Sequence, residues 1–364
     1  QLLLIETLYY SQHPRSSDEL SKITECTTPA FLNDIRAINA QSDYYKIVRE
    51  NGLYRLELKD NATIDVLFST LIRNSVAFKI LEAIFFEDCL SLLDLSKALF
   101  CSLTTIQAAM KDLQEALAKW KLTIHRRPFR LTGNETAIRH LYFLYFSEKK
   151  IERENTRFSS EFFHFGDAIT RSMIKNNNLT VSLAQYNRLT LSFFISLVRV
   201  SRGHRVSSRT LVSTSIIPPD QNTINNFGPY LRNELLILYS EDVMKDSFWL
   251  LYSDLFLLGE EQRDRVLEAN HSLAYHYETH YELTEKLSKM LNEPLSDLQK
   301  DQLATILINQ HLFHATTKEF ISVVQDRKKD CLRLLEVFHA HCVHQLRKLV
   351  IDFTDDYHLF NSTE

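Results

Sequence analysis

Glycine and proline are scarce in this chain, with 6 and 7 occurrences among 364 residues. Nucleotide-binding α/β folds depend on glycine-rich phosphate loops, and β-sandwiches depend on frequent turns, so this scarcity argues against both classes. The 5 cysteines lack CxxC spacing, which argues against a zinc or disulfide framework and fits a reducing cytoplasm. An apolar run of membrane-spanning length and a signal-peptide pattern are also absent. These absences predict a mostly helical, cytoplasmic protein without a membrane association.

The charge of the chain is close to balanced. A formal net charge of −4 gives no overall attraction to nucleic acid, so any DNA contact has to come from a local basic cluster. A length of 364 residues predicts two to four domains. The chain begins at Gln1 rather than at a methionine, and we expect it to be part of a longer product.

The most informative feature that is present is an internal repeat with a spacing of 75 residues. Leu20-Ser21-Lys22 returns as Leu95-Ser96-Lys97, and Tyr54-Arg55-Leu56 returns as Phe129-Arg130-Leu131. The apolar positions between these ends also match, namely Phe31, Ile35 and Ile38 with Ile106, Met110 and Leu113. Such spacing is typical of two short helices that share one core.

Each copy continues into a hairpin. In the first copy, Glu50-Asn51-Gly52 separates two runs of alternating polarity, and Asn-Gly is a strong hairpin signal. The second copy has a shorter counterpart in residues 122–131. The sequence therefore predicts two tandem winged helix-turn-helix units, residues 1–60 and 61–148. Small three-helix packing units without a DNA role are the alternative interpretation.

The outward faces of these units supply candidate DNA contacts. With the apolar positions directed inward, the first unit presents Thr28, Asn33, Arg36, Lys46 and Arg49, and the reading helix of the second presents Thr104, Thr105, Gln107 and Lys111. The second wing adds Arg126, Arg127 and Arg130, within a basic segment that also contains Lys119, Lys121 and Arg139. Such a cluster suits phosphate contacts, whereas base-reading side chains are few, so we expect only a modest sequence preference. A solvated basic face is the alternative.

Beyond residue 150, leucine and aromatic residues recur at helical spacing. This pattern predicts two helical domains, residues 159–260 and 262–364. The predicted helices are Tyr186–Arg202, Tyr230–Tyr239, Ser247–Leu258, Arg263–Leu291, Ser296–His314, Thr317–Gln325 and Lys329–Phe353. Residues Ser207–Gly228 are predicted to form a looser stretch.

Several motifs resemble one known family. Leu95-Ser96-Lys97-Ala98-Leu99-Phe100, Arg127-Pro128-Phe129-Arg130-Leu131-Thr132-Gly133-Asn134-Glu135 and Phe146-Ser147-Glu148 are similar to the Mga/AtxA group of global and virulence regulators of Gram-positive bacteria. Leu189–Arg199, followed by Gly203-His204, resembles the opening helix of a phosphotransferase-regulation domain (PRD). The resemblance covers essentially the whole chain and implies two PRD-like domains after the winged units. Family members usually continue into a small α/β domain similar to the phosphotransferase EIIB component, which residues 1–364 do not contain.

The resemblance also implies regulation by phosphorylation. In the family, PRDs accept phosphate on histidine from the phosphocarriers of sugar transport, and the added charge alters packing between domains or subunits. The matching positions are His204 in the first PRD and His311 in the second. This chain has Ser192-Phe193 where many PRDs have Asp-His, which puts the usual first acceptor in doubt. PRDs associate in the family, so a homodimer is expected, with Leu235–Tyr239 and Phe248–Leu258 as candidate interface stripes.

Chemistry of other kinds has little support in the sequence. His276 and His280 have a spacing that could hold a metal ion, but no further ligand pattern completes a site, so no metal or cofactor is predicted. No nucleophile elbow or convincing carboxylate pair is present, and an enzyme is not expected. Two alternatives to a DNA-binding regulator remain, a phosphate-responsive interaction module with vestigial reading heads and an RNA-binding antiterminator of the PRD class.

Overall fold

The computed structural model describes most of the chain up to residue 314. The described ranges are 2–11, 13–41, 44–59, 72–89, 91–149, 157–179, 183–208, 216–253, 260–290 and 294–314, with residues 70, 181, 211, 257 and 348. The predicted helices Thr317–Gln325 and Lys329–Phe353 lie outside the described residues, apart from Lys348. What is described is mostly helical, as the sequence predicts.

The first winged unit, here called the first head, contains three helices and a three-stranded wing. Its elements are α1 (Leu2–Tyr10), β1 (Arg15–Ser16), α2 (Ser17–Ile23), α3 (Thr28–Gln41), β2 (Tyr45–Glu50) and β3 (Leu53–Leu58). The strand order is β1-β3-β2, and β3 is antiparallel to both neighbours. Asn51 and Gly52 both have positive φ, at 52° and 82°, as a two-residue type I′ hairpin requires.

The second winged unit, here called the second head, repeats this plan with a smaller wing. Its elements are α4 (Val76–Phe85), α5 (Leu92–Leu99), α6 (Leu103–Ala118), β4 (Thr123–His125) and β5 (Arg130–Thr132). The two strands are antiparallel, and Ile124 lies opposite Leu131. The turn between them carries Arg126 and Arg127.

The repeat extends to the helix caps. Ser16 and Ser91, 75 residues apart, each begin a positioning helix, α2 or α5, with a capping box. Their Oγ atoms accept hydrogen bonds from the N–H groups of Glu19 and Asp94 at 3.3 and 3.2 Å. The carboxylates of those two residues accept in turn from the backbone N–H of Ser16 and Ser91, at 2.8 Å in both copies. Each copy therefore fixes the start of its positioning helix in the same way.

The turns that follow also match. Glu25 and Phe100 both adopt the left-handed conformation with φ 52°. One residue later, the N–H groups of Cys26 and Cys101 each donate to a carbonyl five residues back, at 3.1 Å in both copies. This geometry ends the positioning helix and directs the chain into the reading helix, α3 or α6. The structural repeat therefore includes positions at which the residue types differ.

A helical unit follows the second head. Its elements are α7 (Glu135–Lys149), α8 (Ser160–Asn176), α9 (Leu183–Ser201), α10 (Gln221–Leu235), α11 (Glu241–Ser247) and α12 (Trp249–Tyr252). Phenylalanine rings fill its interior, and Phe193 stacks on Phe248 with ring centroids 4.4 Å apart. A Cβ on Gly166 of α8 would lie 2.5 Å from the Phe194 ring of α9, so any larger residue there would force this ring to shift. Three further helices are α13 (Glu260–Ala269), α14 (His271–Ser288) and α15 (Asp297–His314).

Buried side chains among the described residues form three clusters. The first head has its own core, from Leu4 to Tyr54. The second head and the helical unit share one continuous core that runs from Ile72 to Tyr252. A third cluster joins α13, α14 and α15. The two heads thus have the same local fold but different relations to the rest of the molecule.

Some predicted helix bounds were wrong. Tyr230–Tyr239 was predicted as a helix and Ser207–Gly228 as a loose stretch, but α10 begins at Gln221, because Asp220 caps it by accepting from the Thr223 N–H at 2.9 Å. It ends at Leu235, because Leu236 adopts φ 57°.

Two other predicted helices are interrupted. The predicted helix Ser247–Leu258 is broken at Phe248, between α11 and α12. The predicted helix Arg263–Leu291 is divided at Asn270, whose side chain caps α14. Within the described part of the chain, no helix is both long and apolar enough to cross a membrane.

Candidate nucleic-acid interface

The first head exposes all five of its predicted contact residues. Thr28, Asn33 and Arg36 lie along the outer face of α3, and Lys46 and Arg49 lie on β2. The Arg36 guanidinium donates to Asn33 Oδ1 at 3.2 Å. The Arg49 guanidinium lies 5.5 Å from the centre of the Tyr54 ring, which holds it against the wing.

The reading helix of the first head is joined to its wing by side chains. Phe31 of α3 packs edge-on against Tyr54 of β3, with ring centroids 5.1 Å apart. Asn39 accepts from the Ile47 N–H at 2.7 Å and donates to the Ile47 carbonyl at 2.9 Å. Helix and wing therefore present their exposed residues as one rigid surface.

The second head exposes its four predicted reading-helix residues. Thr104, Thr105, Gln107 and Lys111 all lie on the solvent face of α6. The Ser102 hydroxyl caps this helix by accepting from the Thr105 N–H at 3.1 Å. It also shares a hydrogen bond of 2.8 Å with the Thr105 hydroxyl. Lys111 Nζ lies 3.8 Å from the Glu115 carboxylate in an exposed pair of little energetic value.

The second wing carries positive charge without counter-ions. Arg126 and Arg127 are exposed and Arg130 is half-buried, and within the described ranges none of the three forms an ion pair. In the first wing, by contrast, Arg55 pairs with Glu50 at 3.0 Å and with Glu57 at 2.7 Å. Unpaired guanidinium groups beside a reading helix suit contacts with the phosphate backbone or a narrow minor groove.

Arg139 does not belong to this basic surface, and its sequence-based assignment to a phosphate-binding cluster was wrong. Only 2% of the residue is exposed. Its Nε donates to Glu135 at 3.0 Å, and one Nη donates to Asp246 at 2.5 Å. The side chain thus joins the start of α7 to α11 in the interior, where burial of an unpaired guanidinium would be strongly unfavourable.

A second buried arginine extends this arrangement. Arg199 of α9, fully buried, donates to both oxygens of Glu135 at 3.0 and 2.8 Å and to Glu87 at 3.3 Å. It also donates to the Leu131 carbonyl, in wing strand β5, at 3.4 Å. Burial alone would raise the pKa of the Glu135 carboxyl, but the hydrogen bonds and charges of Arg199 and Arg139 outweigh it and lower the pKa below its ordinary value.

His204, a predicted phosphate acceptor, lies at the same junction. Its Nε2 is 2.5 Å from Glu87 Oε1, and its carbonyl accepts from Arg139 at 3.3 Å. The His204 side chain is 20% exposed, so solvent reaches it at the edge of the contact. Below, the junction network denotes six residues, Glu87, Glu135, Arg139, Arg199, His204 and Asp246. It links the second head to the helical unit.

Sequence reasoning missed most of this network. Nothing local marked Glu87, Glu135, Arg199 or Asp246 as members of one network. Apart from the Glu135–Arg139 pair within α7, its contacts join residues 64 to 117 positions apart in the chain. Arg199 stands among apolar residues in the last two turns of α9, and that position was the available signal.

The other predicted residues are a second phosphate acceptor, a histidine pair and two candidate interface stripes. His311 lies on α15, and its side chain is outside what the structure describes. His280 Nδ1 lies 2.6 Å from the His276 carbonyl, a contact within α14. Of the candidate interface stripes, Phe248–Tyr252 is buried in the shared core and cannot form a subunit interface without rearrangement. In the other stripe, Leu236 and Leu238 are 87% and 62% exposed.

Comparison with known proteins identifies a helix-turn-helix domain over the second head. Residues 60–146 match the family model of the Mga helix-turn-helix domain. The chain is 22% identical to the capsule synthesis positive regulator AcpB of Bacillus anthracis, over 97% of this chain and 74% of that protein. It is 23% identical to a Streptococcus pneumoniae protein named "Putative trans-acting regulator", over 75% of this chain and 57% of that protein. It is also 19% identical to the regulator AcpA of Bacillus anthracis, with 88% and 60% covered. The chain thus spans only part of the length of these relatives. The matches confirm its resemblance to the Mga/AtxA group.

Proposed function

Because residues 60–146 match the model of the Mga helix-turn-helix domain, we propose that the chain is a cytoplasmic transcription regulator that binds promoter DNA through both heads. The observation that carries the proposal is the repeated geometry, in which matched caps and turns present an exposed reading helix beside a wing in each copy. Double-stranded DNA is the partner that this surface fits, and no cofactor or catalytic step is part of the proposal.

The wing and the reading helices would contact different parts of the DNA. Arg126, Arg127 and Arg130 would neutralise phosphates, because no carboxylate within the described part of the chain competes for them. Polar side chains on the reading helices would contact base edges, and Asn33 and Gln107 carry the amide groups that pair with adenine. With so few base-reading groups, backbone contacts and DNA shape would dominate affinity.

The test is a salt titration of binding to a promoter-length duplex. Replacing Arg126, Arg127 and Arg130 with alanine should weaken binding and flatten the slope of log K against log[salt] by about one per lost phosphate contact. A control variant with Lys175, Arg232 and Lys289 changed to alanine removes the same charge from exposed positions outside the heads and should keep the wild-type slope. Absence of salt-dependent binding by the wild type would overturn the proposal and favour a protein-interaction module.

Control by phosphorylation is the finer part of the proposal. A phosphocarrier of the sugar phosphotransferase system would transfer its phosphoryl group from its own histidine to a ring nitrogen of His204 or His311. On His204, the added charge of about −1.5 to −2 would lie beside the Glu87 carboxylate and repel it. Arg199 contacts both Glu87 and the wing carbonyl of Leu131, so a change of its pairing would reach the DNA-binding surface.

This part is tested by phosphate transfer in vitro. The chain is incubated with a phosphohistidine carrier protein, and acid-labile phosphate is mapped to peptides by mass spectrometry. Labelling should fall in His204→Ala and His311→Ala variants and persist in His164→Ala, which removes an exposed histidine of α8. Unchanged labelling in both acceptor variants would remove His204 and His311 from the mechanism.

A homodimer would let two pairs of heads span a promoter. The exposed side chains of Leu236 and Leu238 are the apolar surface available for such an interface within the described residues around α10. Sedimentation analysis should show a dimer that Leu236→Lys weakens. A monomeric wild type over micromolar concentrations would contradict this part of the proposal.

A further inference from the structure

The two heads differ most at the entry to the reading helix. In the second head, Phe100 is 97% exposed and Leu103 is 43% exposed. The matched positions of the first head are the polar residues Glu25 and Thr28, which are also exposed. An exposed apolar pair therefore replaces a polar pair at an equivalent place in an otherwise repeated motif.

Phe100 is doubly unfavourable where it stands. Its φ of 52° is in the left-handed region, where a residue with a β-carbon is disfavoured and a bulky aromatic residue is rare. Its ring gains nothing from burial in the free protein. The first head places a polar residue, Glu25, in the same left-handed turn, so the aromatic ring and not the turn is what sets the second head apart. An exposed aromatic side chain at a candidate binding surface indicates a role in the bound state.

Leu103 lies where a base contact is expected. It is the first residue of α6, and residues near the N-terminus of a recognition helix reach base edges in the major groove. Gln107 and Lys111 follow at spacings of four residues, so the three share one exposed stripe of the helix. An aliphatic side chain at this place has one specific partner in DNA, the C5 methyl group of thymine.

We propose that Leu103 and Phe100 give the second head a preference for thymine, by packing against thymine methyl groups in the major groove. Gln107, one turn along the same stripe, would pair with adenine, so the stripe as a whole selects A·T base pairs. The inference rests on the proposed DNA-binding function and adds a base specificity to it. The first head, with Glu25 and Thr28 at the matched positions, presents much less apolar surface there, so the preference should be weaker in that head.

The test removes only the methyl group. A duplex is first recovered by selection from a random library with the complete chain, and it is then synthesised with thymine or with deoxyuridine, which pairs in the same way. Burial of one methyl group corresponds to about a fourfold change in affinity. The wild type should bind the deoxyuridine duplex about fourfold more weakly for each contacted position.

Variants assign the effect to the two residues. Leu103→Ala should bind the thymine duplex about fourfold more weakly and discriminate less between the two duplexes than the wild type does. Phe100→Ala should likewise reduce the discrimination, and the double variant should bind both duplexes equally. Leu183→Ala is the matched control, because Leu183 is also an exposed first residue of a helix, α9, at 76% exposure. It should keep wild-type affinity and discrimination. All three positions are exposed, so the fold should be retained.

The outcomes separate this inference from the proposed function. Equal affinity of the wild type for both duplexes, with salt-dependent binding intact, overturns the thymine preference and leaves the DNA-binding function standing. Failure to bind either duplex overturns the proposed function itself. If Leu103→Ala or Phe100→Ala instead lowers the oligomeric state without changing duplex discrimination, the apolar pair contacts a second copy of the chain and the inference is wrong.

Discussion

The first and second heads have the same capping boxes, the same left-handed turn and the same buried apolar positions. They differ in whether the core that stabilises them is their own or is shared with the rest of the chain. The first head has a self-contained core and joins its reading helix to its wing through Asn39. The second shares its core with the helical unit and is tied to it by the junction network. A repeated motif can therefore serve as an independent module in one copy and as part of a larger cooperative unit in the other.

The difference between the two heads is tested most directly at Arg199, which belongs to the junction network. Arg199→Met leaves Glu135 and Glu87 short of a buried partner and should destabilise the shared-core unit by about 3–5 kcal/mol. Both tryptophans, Trp120 and Trp249, lie in that unit, so their fluorescence reports its unfolding in denaturant. Amide exchange of α2 and α3 should be unchanged, because the first head has a separate core.

Arg55→Met is the control for that experiment. Arg55 also contacts two carboxylates, but it lies on an exposed wing, and such pairs contribute about 0–1 kcal/mol. Because the first head contains no tryptophan, amide exchange of β2 and β3 measures this loss. A small effect of Arg199→Met, comparable with that of Arg55→Met, would show that the junction network is not what binds the second head to the helical unit.

A second prediction uses the matched leucines of the positioning helices. Leu20 and Leu95 are both fully buried, and truncation to alanine at either should cost about 2–5 kcal/mol. The affected region should differ. Leu20→Ala should increase amide exchange in residues 2–58 alone, whereas Leu95→Ala should lower the tryptophan-detected unfolding midpoint and increase exchange as far as α11. Loss of the first head in Leu95→Ala would contradict the separation of the cores.

The pH dependence of the two heads should also differ. The folded-state pKa of Glu135 is lowered by Arg199 and Arg139 despite burial. Its stabilisation is therefore present above the unfolded-state pKa of about 4.3 and is lost as the pH falls through the folded-state value. The denaturation midpoint of the shared-core unit should be insensitive to this group between pH 7 and pH 5 and should fall in more acidic solution.

Glu135→Gln separates this effect from general acid unfolding. The variant should be less stable than the wild type near neutral pH. The difference should shrink as the pH falls from the unfolded-state pKa of about 4.3 through the lowered folded-state pKa of Glu135. A constant difference across that range would mean that Glu135 does not stabilise the junction as a charged group.

The smallest effect is expected at the capping boxes, where the two heads should behave alike. Ser16→Ala and Ser91→Ala each remove one cap of equivalent geometry and should each cost about 1 kcal/mol. Amide exchange of α2 and α5 measures the two losses separately. Clearly unequal losses would show that tertiary context, and not the local cap, determines the stability of the positioning helices.

Errors in the helix bounds had local causes. The start of α10 depends on the Asp220 cap after two prolines, and the division after α13 depends on Asn270, which starts α14. Both residues are recognisable capping residues, so closer attention to caps would have corrected these bounds. Leu236 is different, since a leucine in the left-handed conformation carries no sequence signal.

Residue spacing by itself determined the two heads. Caps, turns and apolar positions act over a few residues, so their recurrence after 75 residues was sufficient to predict two winged units and twelve outward-facing contact candidates. Eleven of the twelve are exposed in the structure, and Arg130 is half-buried. Only the tertiary structure decided where the Arg139 side chain lies. Its charge suggested a phosphate contact, but it is buried against Asp246, 107 residues away. The tertiary structure also decided that Arg199, Glu87 and His204 meet. A charge has no preferred position along a helix, and whether it faces solvent, DNA or a buried partner depends on contacts between distant segments, which local patterns do not record.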